Sequence, residues 1–112
     1  MDLVVDELAG GVTNVILRGR LDTKGAETID LPFSVIAGAK RAIVVDLSEV
    51  DFLASLGIRV LLTGAKTVQR KGGKLVIFVP DGNVLMVLKT AGMETLIPMF
   101  QEYDAAIAAV GA

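Results

Sequence analysis

Residues 42–79 read AIVVDLSEVDFLASLGIRVLLTGAKTVQRKGGKLVIFV, and this stretch decides the fold class. Its two ends, residues 42–47 (AIVVDL) and 74–79 (KLVIFV), are short, nearly continuous apolar runs rich in branched side chains, the pattern of strands covered on both faces. Between them Ile58, Leu61, Leu62, Ala65 and Val68 recur at helical spacing over residues 56–71, and Gly72-Gly73 ends the helix before the next strand. Strand, helix and strand at this length make one β-α-β unit, the building block of a parallel sheet.

Working outward, residues 3–8 and 12–18 read as two strands joined at Gly10-Gly11, an antiparallel hairpin. Asp22 or Thr23 then caps a helix in which Ala26, Ile29, Phe33 and Ile36 share a face, and Pro32 is expected to kink or split it. Downstream, Asp81 begins a third helix with Val84, Leu88 and Ala91 on one face and Gly92 at its end. A short strand over residues 96–98 and a last helix over 101–110, with Tyr103, Ile107 and Val110 inward, follow. The expected order is β-β-α-β-α-β-α-β-α: a single α/β domain spanning residues 1–112, its sheet mixed but mostly parallel with four or five strands, and about four helices. No linker, internal repeat or low-complexity tract interrupts it.

Composition narrows the chemistry. The 112 residues are 53% hydrophobic and 21% charged, with no Cys, no His and no Trp. A chain of this length buries roughly two-thirds of the surface its unfolded form exposes, enough for one core. Without His or Cys there is no Ser-His-Asp or Cys-His pair and no ordinary zinc or copper site, so acid–base work would fall to carboxylates, Lys or Tyr103. The mean hydropathy of +0.63 raises a membrane question. The longest stretch without a charge answers it: residues 8–17 contain two Gly and an Asn, and a spanning helix needs about 20 apolar residues. Met1-Asp2-Leu3 carries no basic lead into an apolar segment, so no secretion signal is read there. Absence of Cys suits a reducing compartment, and a cytoplasmic location is expected.

In open α/β sheets, binding sites collect where strands end and helices begin. The junction to watch is residues 46–59, DLSEVDFLASLGIR. Val50 and Phe52 alternate with Glu49 and Asp51, which predicts a connector that tucks both apolar residues inward. Ser55 then stands at the first turn of the second helix, beside Gly57, which is expected to keep the backbone open. A helix N-terminus offers free N–H groups and about half a positive charge, a seat for phosphate. Ser is also a favoured N-cap, so Ser55 by itself reads first as a simple cap, although Ile58 stands where a capping box needs Glu or Gln.

The run from Asp46 to Gly57, with Leu47-Ser48 before it turns and Gly72-Gly73 closing the helix, resembles the core of the STAS domain family, typified by bacterial anti-sigma factor antagonists. Arg18-Gly19-Arg20-Leu21-Asp22 looks like the family's Gly-x-Leu-Asp lead into the first helix, and Lys89-Thr90-Ala91-Gly92-Met93 like its late Gly-containing helix end. The resemblance runs almost end to end. It implies a regulator of transcription that catalyses nothing, needs no cofactor or metal, and binds a kinase-like ATPase that is both anti-sigma factor and serine kinase. It further implies phosphorylation of Ser55, which holds the position of the family's acceptor. Asp22, Asp51, Ala54, Leu56, Gly57 and Arg59 are the residues expected around it in the partner-binding surface. Where the family commonly reads Asp-Ser-Ser-Gly or Asp-Ser-Thr-Gly, this chain reads Ala54-Ser55-Leu56-Gly57. Those two replacements favour the alternative reading, a STAS scaffold or transporter-associated module without a phospho-switch. A monomer or weak dimer without direct nucleic-acid contact or membrane insertion is expected.

Charge is unevenly distributed. Residues 1–51 carry five basic and nine acidic groups (−4), residues 52–80 five basic and none acidic (+5), and residues 81–112 one basic and four acidic (−3), which together give the net −2. Arg59, Lys66 and Arg70 fall on one stripe of the second helix. Arg59 in a first turn opposes the helix dipole, which makes it a candidate contact for phosphoserine or for an acidic group on the partner. The acidic pI near 5.0 and the lack of aromatics among these cations speak against a nucleic-acid module. Thr63-Gly64-Ala65-Lys66-Thr67 resembles the end of a phosphate-binding loop but lies inside an amphipathic helix, and Asp46, Glu49 and Asp51 could hold Mg²⁺ only if the fold gathered them.

Overall fold

The computed structural model describes residues 1–111. Five strands and four helices follow one another in the expected order. Strand β1 (Asp2–Glu7) turns through a 3-10 segment at Ala9–Gly11 into β2 (Thr13–Leu21), and helix α1 (Thr23–Ala39) leads to β3 (Ala42–Leu53). Helix α2 (Ser55–Arg70), β4 (Lys74–Phe78), α3 (Asn83–Thr90), β5 (Met99–Phe100) and α4 (Tyr103–Val110) complete the chain. The strands lie in the sheet in the order β1-β2-β3-β4-β5, with β1 antiparallel to β2 and every other pair parallel.

The continuous apolar runs that predicted a doubly covered sheet do cover both faces. Ile43, Val45 and Leu47 of β3, with Leu75 and Ile77 of β4, point into a large core with Ala26, Ile29 and Phe33 of α1, Val60, Leu61, Ala65 and Val68 of α2, and Leu85 and Leu88 of α3. The alternate residues Val44 and Val76 point the other way, joining Val12 and Ala106 in a smaller cluster under α4. Tyr103, Ile107 and Val110 line this second cluster, with the Tyr103 ring edge-on to Phe78 at 5.4 Å. Burial followed by the nearby Asp46, Asp6 and Asp104 raises the Tyr103 phenol above its ordinary value, so it stays neutral.

Four expectations need correction. Helix α1 runs unbroken through Pro32, which sits on its exposed side while Ile29, Phe33 and Ala37 bury the opposite face; tertiary packing outweighs the proline penalty. Helix α3 starts at Asn83, because Gly82 at φ 151° cannot continue a helix, so Asp81 lies outside it. The last strand is Met99–Phe100, beyond residues 96–98, because a 3-10 turn at Met93–Thr95 uses up chain first. The largest change is in β3, which continues six residues past the apolar run and pairs with the end of β2 throughout. In this stretch Ile16 pairs Asp46 and Arg18 pairs Glu49, then Gly19 pairs Val50 and Arg20 pairs Phe52. Each step leaves an extra residue on β3, a pair of bulges. The Asp46 carboxylate holds the first, accepting from the Ser48 amide at 2.8 Å and the Ser48 hydroxyl at 2.6 Å.

Candidate functional site

The bulges set which side chains face the solvent. With a strict period of two, Val50 and Phe52 would share a face. The extra residue at Asp51 shifts the alternation, so Val50 and Leu53 point inward and Phe52 turns out, 37% exposed. Phe52 is therefore a surface residue, contrary to the sequence reading. The Arg20 guanidinium lies 4.2 Å from its ring centre, a cation–π pair across β2 and β3. Arg20 also reaches Asp22 at 3.6 Å.

Helices α1 and α2 start side by side, since Leu21 and Leu53 pair at the strand ends and the Ala54 amide donates to the Leu21 carbonyl at 2.9 Å. Their caps differ. Asp22 caps α1, its Oδ1 accepting from the Gly25 amide at 2.8 Å, and this bond, aided by the Arg20 charge, holds the carboxyl below its usual range. The N-cap of α2 is Ala54, extended at φ −106° and without any side-chain acceptor. Ser55 is thus the first helical residue and not the cap, which removes the simplest structural account of its hydroxyl. The side chain is exposed, and it makes no hydrogen bond among the described residues. With no acidic residue in the first turn, the free amides at this helix end meet no compensating negative charge from α2 itself.

The remaining predicted residues divide. Arg59 is exposed one turn after Ser55 on the same side of α2 and belongs to no ion pair among the described residues. Asp51 is exposed at the second bulge and lines a crevice of about 240 Å³ with Ser48, Pro80, Asp81, Gly82 and Asn83. Ala54 and Leu56 are half-buried. Gly57 is buried: a Cβ there would stand 2.6 Å from Leu21 Cγ and 2.9 Å from the Leu21 carbonyl oxygen. Its lack of a side chain lets α2 approach the end of β2. Glu49 pairs with Arg18 at 2.9 Å four residues before the strand end, and Asp46 is engaged by Ser48. Among the described residues no three Asp or Glu side chains gather as a metal site. Thr63 to Thr67 lie mid-helix, with Gly64 against the Phe33 ring. Sequence reasoning missed Arg20, Phe52 and the Asp81 crevice, since the parallel register and bulges that assemble them leave no local signature.

The junction thus sets a helix N-terminus without a side-chain cap, bearing an exposed hydroxyl, beside a carboxylate-capped one. The STAS domain model matches residues 5–106, and the chain belongs to that family. It is 28% identical over 110 residues to BtrV of Bordetella bronchiseptica, named as a candidate anti-sigma factor antagonist, covering 97% of this chain and 94% of that protein. The crystal structure of an anti-sigma factor antagonist from Mycobacterium paratuberculosis superposes with a TM-score of 0.88 at 24% identity, covering 99% of this chain and 94% of the other. The Bacillus cell fate determinant SpoIIAA in its phosphorylated form superposes with a TM-score of 0.72 at 19% identity, over 97% and 99%. Among the described residues no helix is long and apolar enough to cross a membrane.

Proposed function

We propose that this protein is an anti-sigma factor antagonist that binds a kinase-type anti-sigma factor and is switched off by phosphorylation of Ser55. The observation that carries the reading is the Ser55 hydroxyl, exposed, free of hydrogen bonds and placed at an N-terminus whose cap supplies no acceptor. With no His or Cys in the chain, nothing nearby activates it as a nucleophile, so the partner supplies the chemistry and this protein serves as substrate and ligand. The unmodified surface, with Phe52, half-buried Leu56, Arg59 and Asp51, docks on the partner. Phosphorylation adds about −1.5 to −2 charges at one point. In the free protein the uncapped amides and Arg59 accommodate that charge. In a desolvated interface it meets Asp22 and Asp51, and a loss of about 3 kcal/mol weakens binding roughly a hundredfold.

The test is intact-mass analysis after incubation with ATP and the anti-sigma factor. A species heavier by about 80 Da, one phosphate, is expected for the wild type and absent from Ser55→Ala. An unmodified wild type, or an adduct that persists in Ser55→Ala, overturns the switch. Ala54 and Leu56 favour the second reading, a STAS module that binds without switching. That reading predicts partner affinity indifferent to Ser55→Asp.

A further inference from the structure

Between α2 and α3 runs a surface groove of about 300 Å³, lined by Ile58, Met86, Val87, Thr90 and Ala91. Apart from the Thr90 hydroxyl its walls are apolar, and Met86 is 67% exposed. Leu62, one turn beyond Ile58, is half-buried in the same manner. The α2 side of the rim is cationic. Arg59 follows Ile58, and Lys66 stands two turns along α2 on the same stripe; both are exposed, and neither belongs to an ion pair among the described residues. Neither α2 nor α3 contains an acidic residue. In a chain of net charge −2, an apolar groove with cations and no anions on its helices is complementary to an occupant that is apolar in the middle and acidic at its edges.

We propose that this groove receives an acidic amphipathic helix of the partner protein, seating its apolar side chains on Ile58, Met86 and Val87 and its carboxylates against Arg59 and Lys66. The proposal rests on the reading that a protein docks at this end of α2, since Ile58 lies one turn from Ser55 and makes hydroxyl and groove one continuous surface. Helix-in-groove recognition of this kind reads anchors at i, i+3 or i+4, and i+7. A single-stranded nucleic acid would satisfy the cations but find no aromatic platform in the groove.

The test is an amide-shift titration of the ¹⁵N-labelled full chain with a synthetic helical peptide of about 16 residues, Leu at the anchor spacing and Glu flanking them. Shifts centred on Ile58, Leu62 and residues 86–91 are expected. Binding should weaken about tenfold or more in Met86→Glu, and likewise when Lys replaces Glu in the peptide. Met86 is exposed, and Lys66→Glu provides a second variant that leaves the groove wall intact. Absent or scattered shifts, or equal binding of the Lys peptide, overturn the proposal. Concentration-dependent shifts of the same amides without peptide also overturn it, assigning the groove to a second copy of this chain. The titration does not read Ser55 modification, so failure here and failure of the phosphorylation assay are separate results.

Discussion

Asp22 and Ala54 occupy equivalent places, each the residue ahead of a helix at the end of a paired strand, and they differ by one carboxylate. At Asp22 the carboxylate is spent on the Gly25 amide and its pKa is lowered. A depressed folded-state pKa gives stability that is fully present above the unfolded Asp value of about 3.9 and lost as pH falls through the lower folded value. Asp22→Asn keeps an acceptor without the charge, so its thermal midpoint should lie below wild type near neutral pH and converge on it in acid. Parallel curves for the two proteins between neutral pH and strong acid would remove Asp22 from the acid sensitivity. At Ala54 the missing carboxylate leaves the α2 amides open, which is what a phosphate on Ser55 would use. The position of Ser55 at a helix start is legible in the sequence from apolar spacing alone. That it is not the cap is not legible, because the difference between cap and first residue rests on the backbone angles of one neighbour.

At the level of elements, the periodicity of residues 42–79 specifies β3, α2 and β4 well, because each buries a full face and the pattern has no competitor. The end of β3 is different. Its two bulges depend on Asp46 folding back on Ser48 and on which residue of β2 lies opposite, neither of which leaves a hydrophobic period behind. Reading Phe52 as buried follows from extending a period across a bulge. The same end of the sheet is held by the contact of α2 with Leu21, which tolerates only a hydrogen at residue 57. Gly57→Ala should cost about 1–3 kcal/mol despite the better helix propensity of Ala, measured by urea unfolding. A change within about 0.5 kcal/mol would mean α2 slides freely along β2.

For the whole molecule, one sheet separates two apolar clusters of unequal size, and Ser55 and Arg59 stand on the helical layer over the larger one. Phe33 binds that layer together: it is 1% exposed, and its ring lies against Gly64 of α2. Phe33→Ala should lower stability by about 3–5 kcal/mol. The sheet is common to both clusters, so circular dichroism and the fluorescence of Tyr103, the sole Tyr in a chain without Trp, should report one coincident transition. Separate transitions would show that the small cluster under α4 opens by itself. The order of the strands in space is the order of the strands in the chain. Every strand therefore joins the growing edge of what has already emerged, and none has to be threaded between two earlier ones. A nascent chain can add its sheet one neighbour at a time as it leaves the ribosome, with the α2 surface built before the last strand and helix are made.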